Sequence, residues 1–575
     1  MRWTTLSVIV VCTLACGDDS SPADDGTGGT SPGDSSSTSG GGIGSESNVD
    51  STGGSSGAGS TSDTGSGGSS TGEPVADPLG WTDACIVMGS DLSVLHPRIE
   101  CTAIDVPLDW DDPDGVTITV PAFRVRTEAE QRIGSFWELD GGPGGSGLNF
   151  FTDPVRVDAI NAAGFDVVVH SHRGTLAPQL SCASLASSPA CRAELEAIWG
   201  DGLRHFNTVQ AAHDQAEIMR RAAVDEDGLM VVYGVSYGSY WGQFLLGLHP
   251  DIADAVILDS VLSAYTSVAT QEAAVDERML ALLQECVDDP ICGARVGFAS
   301  AEAFAQAVID AFDNGACGPT DKGLWADSQF RSGFGTLLNL HRARNYLPLL
   351  AALLVRCTPE DSQIVSDAIN TIFTGVFSAS PGTGSVAEQI AQARAAASRY
   401  GVSPALFGSG PLFSVVLATT MLPDDADIQL GANILATTGL PGAVQAGHEF
   451  FADLPNVEFD ADFVPEVPVL ILNATYDVQT PLPWAQTVAA QYGVEVTVVP
   501  DGQHATFSVG TGGRDLDGTG CLVPLVLDFA AAPQAPLNDV CVATLPAIDV
   551  NLTRPDLTAL SIDAFGLADP WVLLD

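Results

Sequence analysis

One stretch constrains this chain more than any other. Leu229-Met230-Val231-Val232-Tyr233 is an apolar, β-rich run. It passes into Gly234-Val235-Ser236-Tyr237-Gly238, and Tyr240 to Leu248 then reads as a helix that stops at His249-Pro250. A buried strand that turns sharply on glycines into a helix belongs to a parallel sheet with helices on its faces. The neighbouring runs agree. Gly134 to Leu139, Phe165 to His170 and Ala255 to Leu258 read as further buried strands, and Val209 to Val224 as a covering helix.

The same pattern resumes late in the chain. Val467 to Leu472 and Val494 to Val499 read as strands, with a helix-like stretch from Pro483 to Gln491 between them. Residues 263–460 differ: they are Ala-rich and helical, with no comparable strand. The expected fold class is therefore α/β, a mostly parallel sheet with a large helical cap inserted between core strands. That explains a length of 575 residues without invoking four domains. The expected organisation is a signal segment over 1–16, a tether over 17–75, a first core part over 76–262, the cap over 263–460 and a second core part over 461–575.

The first 75 residues are not expected to fold. Arg2 precedes an apolar run from Trp3 to Ala15 that ends at Cys16, which is an export-signal pattern too short to span a bilayer. Thr13-Leu14-Ala15-Cys16 resembles a bacterial lipobox, which makes Cys16 the candidate lipidated residue. The alternative is ordinary cleavage after Ala15 and secretion. The Gly/Ser/Thr/Asp-rich segment that follows lacks the apolar side chains needed to offset its ordering entropy. Its Gly53-Gly54-Ser55-Ser56-Gly57 matches G-x-S-x-G by letter, but no strand precedes it and no helix follows.

Charge excludes whole classes of function. Lys and Arg number 22 against 72 Asp and Glu, a net charge of -50. With signal and tether set aside, about -42 remains on the rest of the chain. A nucleic-acid partner held through basic patches is excluded, as is polybasic membrane binding. Membrane attachment is expected only through a lipid anchor. The acidity reads as a solvated surface, with weak attraction for a cationic group.

Of the twelve cysteines, Cys12 lies in the signal and Cys16 at the lipobox. The other ten are disulfide candidates: Cys85, Cys101, Cys182, Cys191, Cys286, Cys292, Cys317, Cys357, Cys521 and Cys541. Pairing of sequence neighbours would give five bridges. No Cys-x2-Cys pair or His-rich cluster argues for metal, and Cys286 to Cys292 is spaced too widely for a zinc knuckle.

Ser236 sits where a strand-to-helix turn presents a hydroxyl above the sheet, so it is the candidate nucleophile. Its base should be a late histidine. His504, in the polar loop Pro500-Asp501-Gly502-Gln503-His504, is the one histidine beyond Leu472. His170 and His172 precede Ser236 and read as structural or substrate-side. The acid should follow the preceding strand, which points to Asp477 in Asn473-Ala474-Thr475-Tyr476-Asp477. Asp259 is the runner-up. Gly141-Gly142-Pro143-Gly144-Gly145-Ser146-Gly147 lacks a P-loop ending and reads as an oxyanion loop. Backbone N–H groups of Gly142 and Tyr237 are the candidate donors.

Taken together, these residues resemble exported α/β-hydrolases of the tripeptidyl aminopeptidase and proline iminopeptidase type. The Gly141–Gly147 loop is similar to that family's GGPGG loop, with Asp140 where many members have His. Val106-Pro107-Leu108-Asp109-Trp110 resembles its early V-P-L-D-W/Y segment. His172-Arg173-Gly174-Thr175 with Leu180-Ser181-Cys182 resembles its D-x-R-G-x-G…L-x-C stretch, although His170 and Leu176 depart from the usual Asp and Gly. Gly234–Gly238, Val467 to Asp477 with Thr480-Pro481, and Gly502-Gln503-His504 match its elbow, acid loop and G-x-H site. Cys521 and Cys541 fall where the C-terminal segment of tripeptidyl-aminopeptidase-like members has paired cysteines. The resemblance covers roughly residues 80–550. It implies the α/β-hydrolase fold and cleavage of peptides from a free N-terminus through an acyl-enzyme, without metal or organic cofactor. The alternatives are a carboxylesterase acting on small esters or lactones, and a non-catalytic surface binding protein.

Overall fold

The computed structural model describes residues 79–184, 188–223, 228–313, 327–377, 398–421, 435–438, 449–451, 453–509 and 520–574. Cys16, the tether and Cys317 lie outside them.

The strands are β1 (Ile86–Val87), β2 (Ser90–Asp91), β3 (Ile99–Pro107), β4 (Thr117–Val125), β5 (Gly134–Leu139), β6 (Phe165–His170), β7 (Leu229–Val235), β8 (Ala255–Asp259), β9 (Val469–Ala474) and β10 (Val496–Val499). β1 and β2 form a small antiparallel pair. The other eight form one sheet in the order β10-β9-β8-β7-β5-β6-β4-β3. Six strands, β5 through β10, are parallel neighbours. β4 runs against both β3 and β6. This is the α/β-hydrolase sheet that the motifs led us to expect.

Each central strand divides its side chains between two cores, because successive residues point to opposite faces. In β7, Val231, Tyr233 and Val235 face one core and Val232 the other. In β8, Val256 and Leu258 oppose Ala255 and Ile257 in the same way. Helices Thr208–Ala223, Tyr237–Leu248 and Leu482–Tyr492 contribute buried side chains to the first core, and Pro154–Ala162 and Leu522–Ala531 to the second. Local chemistry sets the helix starts. Pro154 stands at the first turn of its helix, where Asp153 accepts the Arg156 N–H at 3.2 Å. Ser188 accepts the Cys191 N–H ahead of Pro189 in the same manner.

Between β8 and β9 the described residues hold helices and no strand of the sheet. Gln271–Asp288, Ala301–Asp313, Asp327–Asn339, Leu347–Arg356 and Pro359–Phe377 surround a separate apolar core that includes Leu283, Phe334 and Leu350. The C-terminal helix Pro555–Phe565 places Leu557 and Leu560 in that helical core rather than under the sheet. The last part of the insert returns to the sheet cores, with Leu406 and Phe407 in one and Leu412 and Phe413 in the other.

Disulfides join Cys85 to Cys101, Cys182 to Cys191, Cys286 to Cys292 and Cys521 to Cys541. Cys357 is also disulfide-bonded. Such bridges belong to chains that mature in an oxidising compartment. Among the described residues no helix is long and apolar enough to cross a membrane.

Candidate active site

The parallel strands end on one edge of the sheet, and each candidate residue hangs from a different strand there. Ser236 follows β7, Asp477 follows β9, His504 follows β10, and the glycine loop follows β5. This edge is where open α/β sheets place their sites.

Ser236 caps the helix Tyr237–Leu248 with φ 56° and ψ -124°. A left-handed conformation is costly for a serine, and the packing around it explains why it persists. A Cβ on Gly238 would lie 1.8 Å from the Leu139 carbonyl oxygen, and one on Gly234 would lie 2.4 Å from the Gly238 carbonyl oxygen. Both obstacles are backbone. The two glycines thus let β5, β7 and the helix meet at van der Waals range, and the turn between them must be sharp. Gly238→Ala is expected to cost more than about 3 kcal/mol, since no side chain can yield. Gly242→Ala, one turn on, meets only side-chain methyls, of Leu258 at 3.3 Å and Leu139 at 3.8 Å, and is expected to be mild. Thermal melts of the two variants beside the parent protein check this. A Gly238→Ala melt that matches that of Gly242→Ala would contradict it.

The glycine loop packs directly on the elbow. A Cβ on Gly141 would lie 3.0 Å from the Ser236 Cβ and 3.5 Å from its Oγ. Gly142 has φ +121°, a glycine conformation, and a Cβ there would strike the Gly144 and Gly145 nitrogens. Asp140 anchors the loop from below. Its Oδ1 accepts the Gly141 N–H at 2.8 Å, and its Oδ2 accepts from Asn149 Nδ2 at 2.7 Å. Burial pushes the Asp140 carboxyl up to about 6, against these two hydrogen bonds. From the other side the insert holds the loop. The Ser409 N–H donates to the Gly144 carbonyl at 2.8 Å, and Gly408 bridges to Gly145.

The structure brings His504 and Asp477 together, both buried. His504 Nδ1 lies 2.9 and 3.0 Å from the two Asp477 carboxylate oxygens. The carboxylate also accepts the Gln479 and Thr480 N–H groups at 3.1 and 2.8 Å and the Thr480 hydroxyl at 2.8 Å. An ionised carboxylate only accepts, so the ring hydrogen sits on Nδ1 and Nε2 of the neutral imidazole is bare.

Asp259, the runner-up acid, has a different place. Its carboxylate accepts from the Tyr233 hydroxyl at 2.8 Å, the Thr506 hydroxyl at 2.7 Å, and the N–H groups of Thr506 and Phe507 at 3.1 and 2.9 Å. Its backbone carbonyl accepts the Ser236 N–H at 3.0 Å. One residue thus braces the elbow and the segment just after His504. Ser260 adds a hydroxyl that accepts the Ala505 N–H at 2.7 Å. Burial pushes the Asp259 carboxyl up in spite of its donors.

His170 and His172 are buried structural groups. His172 Nδ1 donates to the Arg173 carbonyl at 2.7 Å, so its Nε2 accepts from the Tyr237 hydroxyl at 3.1 Å. That phenol in turn accepts from Thr208 Oγ1 at 2.7 Å. Burial lowers His172 to about 4, so it stays neutral in this chain of bonds. His170 contacts Gln215 at 3.0 Å and is lowered by burial to about 3. The early motif has a structural reason as well. Arg173 is fully buried and donates to both Asp214 oxygens and to the carbonyls of Pro107 and Leu108, while Trp110 Nε1 donates to Asp214. Sequence reading missed Asp214, because its partners lie up to 104 residues away. Among the described residues no group of three or more His, Cys, Asp or Glu is arranged to hold a metal.

Comparison with known proteins finds partial likenesses. The sheet order and the glycine-bounded elbow are those of an α/β-hydrolase fold. The chain is 29% identical to the tripeptidyl aminopeptidase of Streptomyces lividans over 229 residues, which are 35% of this chain and 41% of that one. It is 29% identical to carboxylesterase B of Mycobacterium tuberculosis over 155 residues, 26% of this chain and 29% of that one. The chain thus spans less than half the length of either relative. Among solved structures it is similar to a proline iminopeptidase-related protein from Thermus thermophilus, at 14% identity and TM-score 0.33, over 75% of this chain and 98% of that one. No family model matches the chain.

Proposed function

We propose that this chain is an exported serine hydrolase that cleaves peptides from a free N-terminus, of the tripeptidyl- or prolyl-aminopeptidase type. The observation that carries the reading is the Asp477–His504 pair on the same sheet edge as the strained Ser236 elbow. In this mechanism Ser236 Oγ attacks the substrate carbonyl carbon and gives its proton to His504 Nε2. Asp477 orients the imidazole and stabilises its cation. The carbon–nitrogen bond breaks as His504 passes the proton to the leaving amine. Water then hydrolyses the acyl-enzyme by the same base. Backbone N–H groups of Gly142 and Tyr237 stabilise the oxyanion, each worth about 10²–10³ in rate. No cofactor takes part.

The aminopeptidase relative supports the peptide reading. The carboxylesterase relative supports a second reading, hydrolysis of small esters, since the same groups serve both. The disulfides support an extracytoplasmic site, and the lipobox supports an anchor at Cys16. Purified protein offered aminoacyl, prolyl and tripeptidyl p-nitroanilides with free and blocked N-termini, beside p-nitrophenyl esters, tests the reading. The expected result is amide cleavage that requires the free amine. Ester cleavage alone would select the second reading.

A further inference from the structure

A buried arginine is expensive unless an acid pairs with it, because its desolvation must be offset. Arg173 has such a partner in Asp214. Arg344 does not. It is fully buried, and among the described residues it forms no ion pair. It belongs to the helical insert, between Asp327–Asn339 and Leu347–Arg356. Its donors go instead to backbone oxygens. Nη1 donates to the Gly502 carbonyl at 2.8 Å, and Nη2 to the Asn339 carbonyl at 3.2 Å. The guanidinium stands 4.7 Å over the ring of Tyr476, the residue before Asp477. One cation therefore touches the acid loop and the base loop at once, two residues upstream of His504.

Its neighbour His341 holds the same turn. His341 Nδ1 donates to the Asp501 carbonyl at 3.0 Å, and its backbone N–H donates to Gln503 Oε1 at 2.7 Å. Asp259 fixes the far side of His504 through Thr506 and Phe507. The loop that carries the imidazole is thus gripped from the sheet on one side and from the insert on the other.

We propose that Arg344 is a positioning residue for His504: it fixes the Gly502–His504 loop through the Gly502 carbonyl and sets the field around the Asp477–His504 pair. The inference rests on the reading of His504 as the base. The charges of Asp477, Asp501 and Glu285 all act on the guanidinium. Asp259 lies behind His504, and His341 stands neutral beside the loop, lowered by burial to about 3. Tyr476 donates to Glu285 at 2.8 Å. In this ring of acids Arg344 is the cation that opposes protonation of the imidazole. Its removal favours the imidazolium, so the acid limb of the pH profile moves to higher pH.

The test is the pH dependence of kcat/KM for a p-nitrophenyl ester with the full-length protein. Arg344→Met is expected to lower kcat about 10- to 100-fold with KM nearly unchanged, and to move the acid limb up by roughly half to one pH unit. Arg344→Lys is expected to restore the limb and only part of kcat, since an ammonium lacks the forked geometry. A merely structural arginine would lower the melting temperature and leave the limb in place, and that result overturns the proposal. If Arg344→Met fails to fold, Arg344→Lys decides alone: parental kcat with folded protein overturns it. Activity retained in His504→Gln overturns the underlying reading instead, and is measured in parallel.

Discussion

Ser236→Ala is expected to lower kcat on amides and esters by about 10⁵–10⁶-fold while the protein melts at nearly the parental temperature. The side chain caps no N–H of the helix it begins, so little folding energy depends on the hydroxyl. The elbow is held by Gly234, Gly238 and the Ser236 N–H to Asp259 bond, all of which survive the substitution. Alanine bears the positive φ at a cost similar to serine. The proposed oxyanion donors at Gly142 and Tyr237 also survive, so a residual rate of about 10³-fold over water is expected rather than none. A variant within tenfold of the parent would remove Ser236 from the chemistry.

The second large effect separates two buried carboxylates that look alike in sequence. Asp477→Asn is expected to reduce kcat about 10⁴-fold. An amide can present its NH₂ to Nδ1, which selects the tautomer with hydrogen on Nε2 and leaves no base for Ser236. The Gln479 and Thr480 N–H groups still find an acceptor, so stability should fall little. Asp259→Asn is expected to behave in the opposite way. Its carboxylate receives donors from Tyr233, Thr506 and Phe507, so the loss falls mainly on stability, about 1–3 kcal/mol. Equal rate losses at the two positions would show that the acid has been misassigned.

Most of the sheet was legible in the sequence, for a physical reason. β5 to β9 are buried on both faces, and burial on both faces demands the near-continuous Val, Ile and Leu runs that a reader recognises; β10, at the edge and half-buried, keeps a Val-rich run. β3 and β4 went unread. β3 lies at the sheet edge and mixes Glu100, Thr102 and Asp105 with its apolar residues, while Pro107 and Pro121 interrupt the pattern. The candidate site was legible in the residues proposed for its chemistry and illegible in their supports. A glycine-bounded serine, a late histidine and an acid after a strand announce themselves by order. Arg344, hidden in an Ala-rich helical stretch, carries no local signature, because its partner Gly502 comes from a distant segment. Asp259 was noticed, but its role was not: a strand-end acid looks the same whether it serves an imidazole or caps a helix.

The interruption of the sheet between β8 and β9 has a consequence for the order of assembly. Val256 and Val469 are neighbours in the sheet but stand roughly 200 residues apart along the chain. During synthesis Ser236 and its elbow emerge long before Asp477 and His504. The insert's helical core is completed by Tyr476 and by Leu557 and Leu560 of the C-terminal helix, so it too is finished only after β9 has been made. Until β9 and β10 dock, the elbow lacks the base proposed for it, His504. Under the proposed mechanism the polypeptide is therefore chemically silent while it folds, and it acquires reactivity only with its last pair of parallel strands.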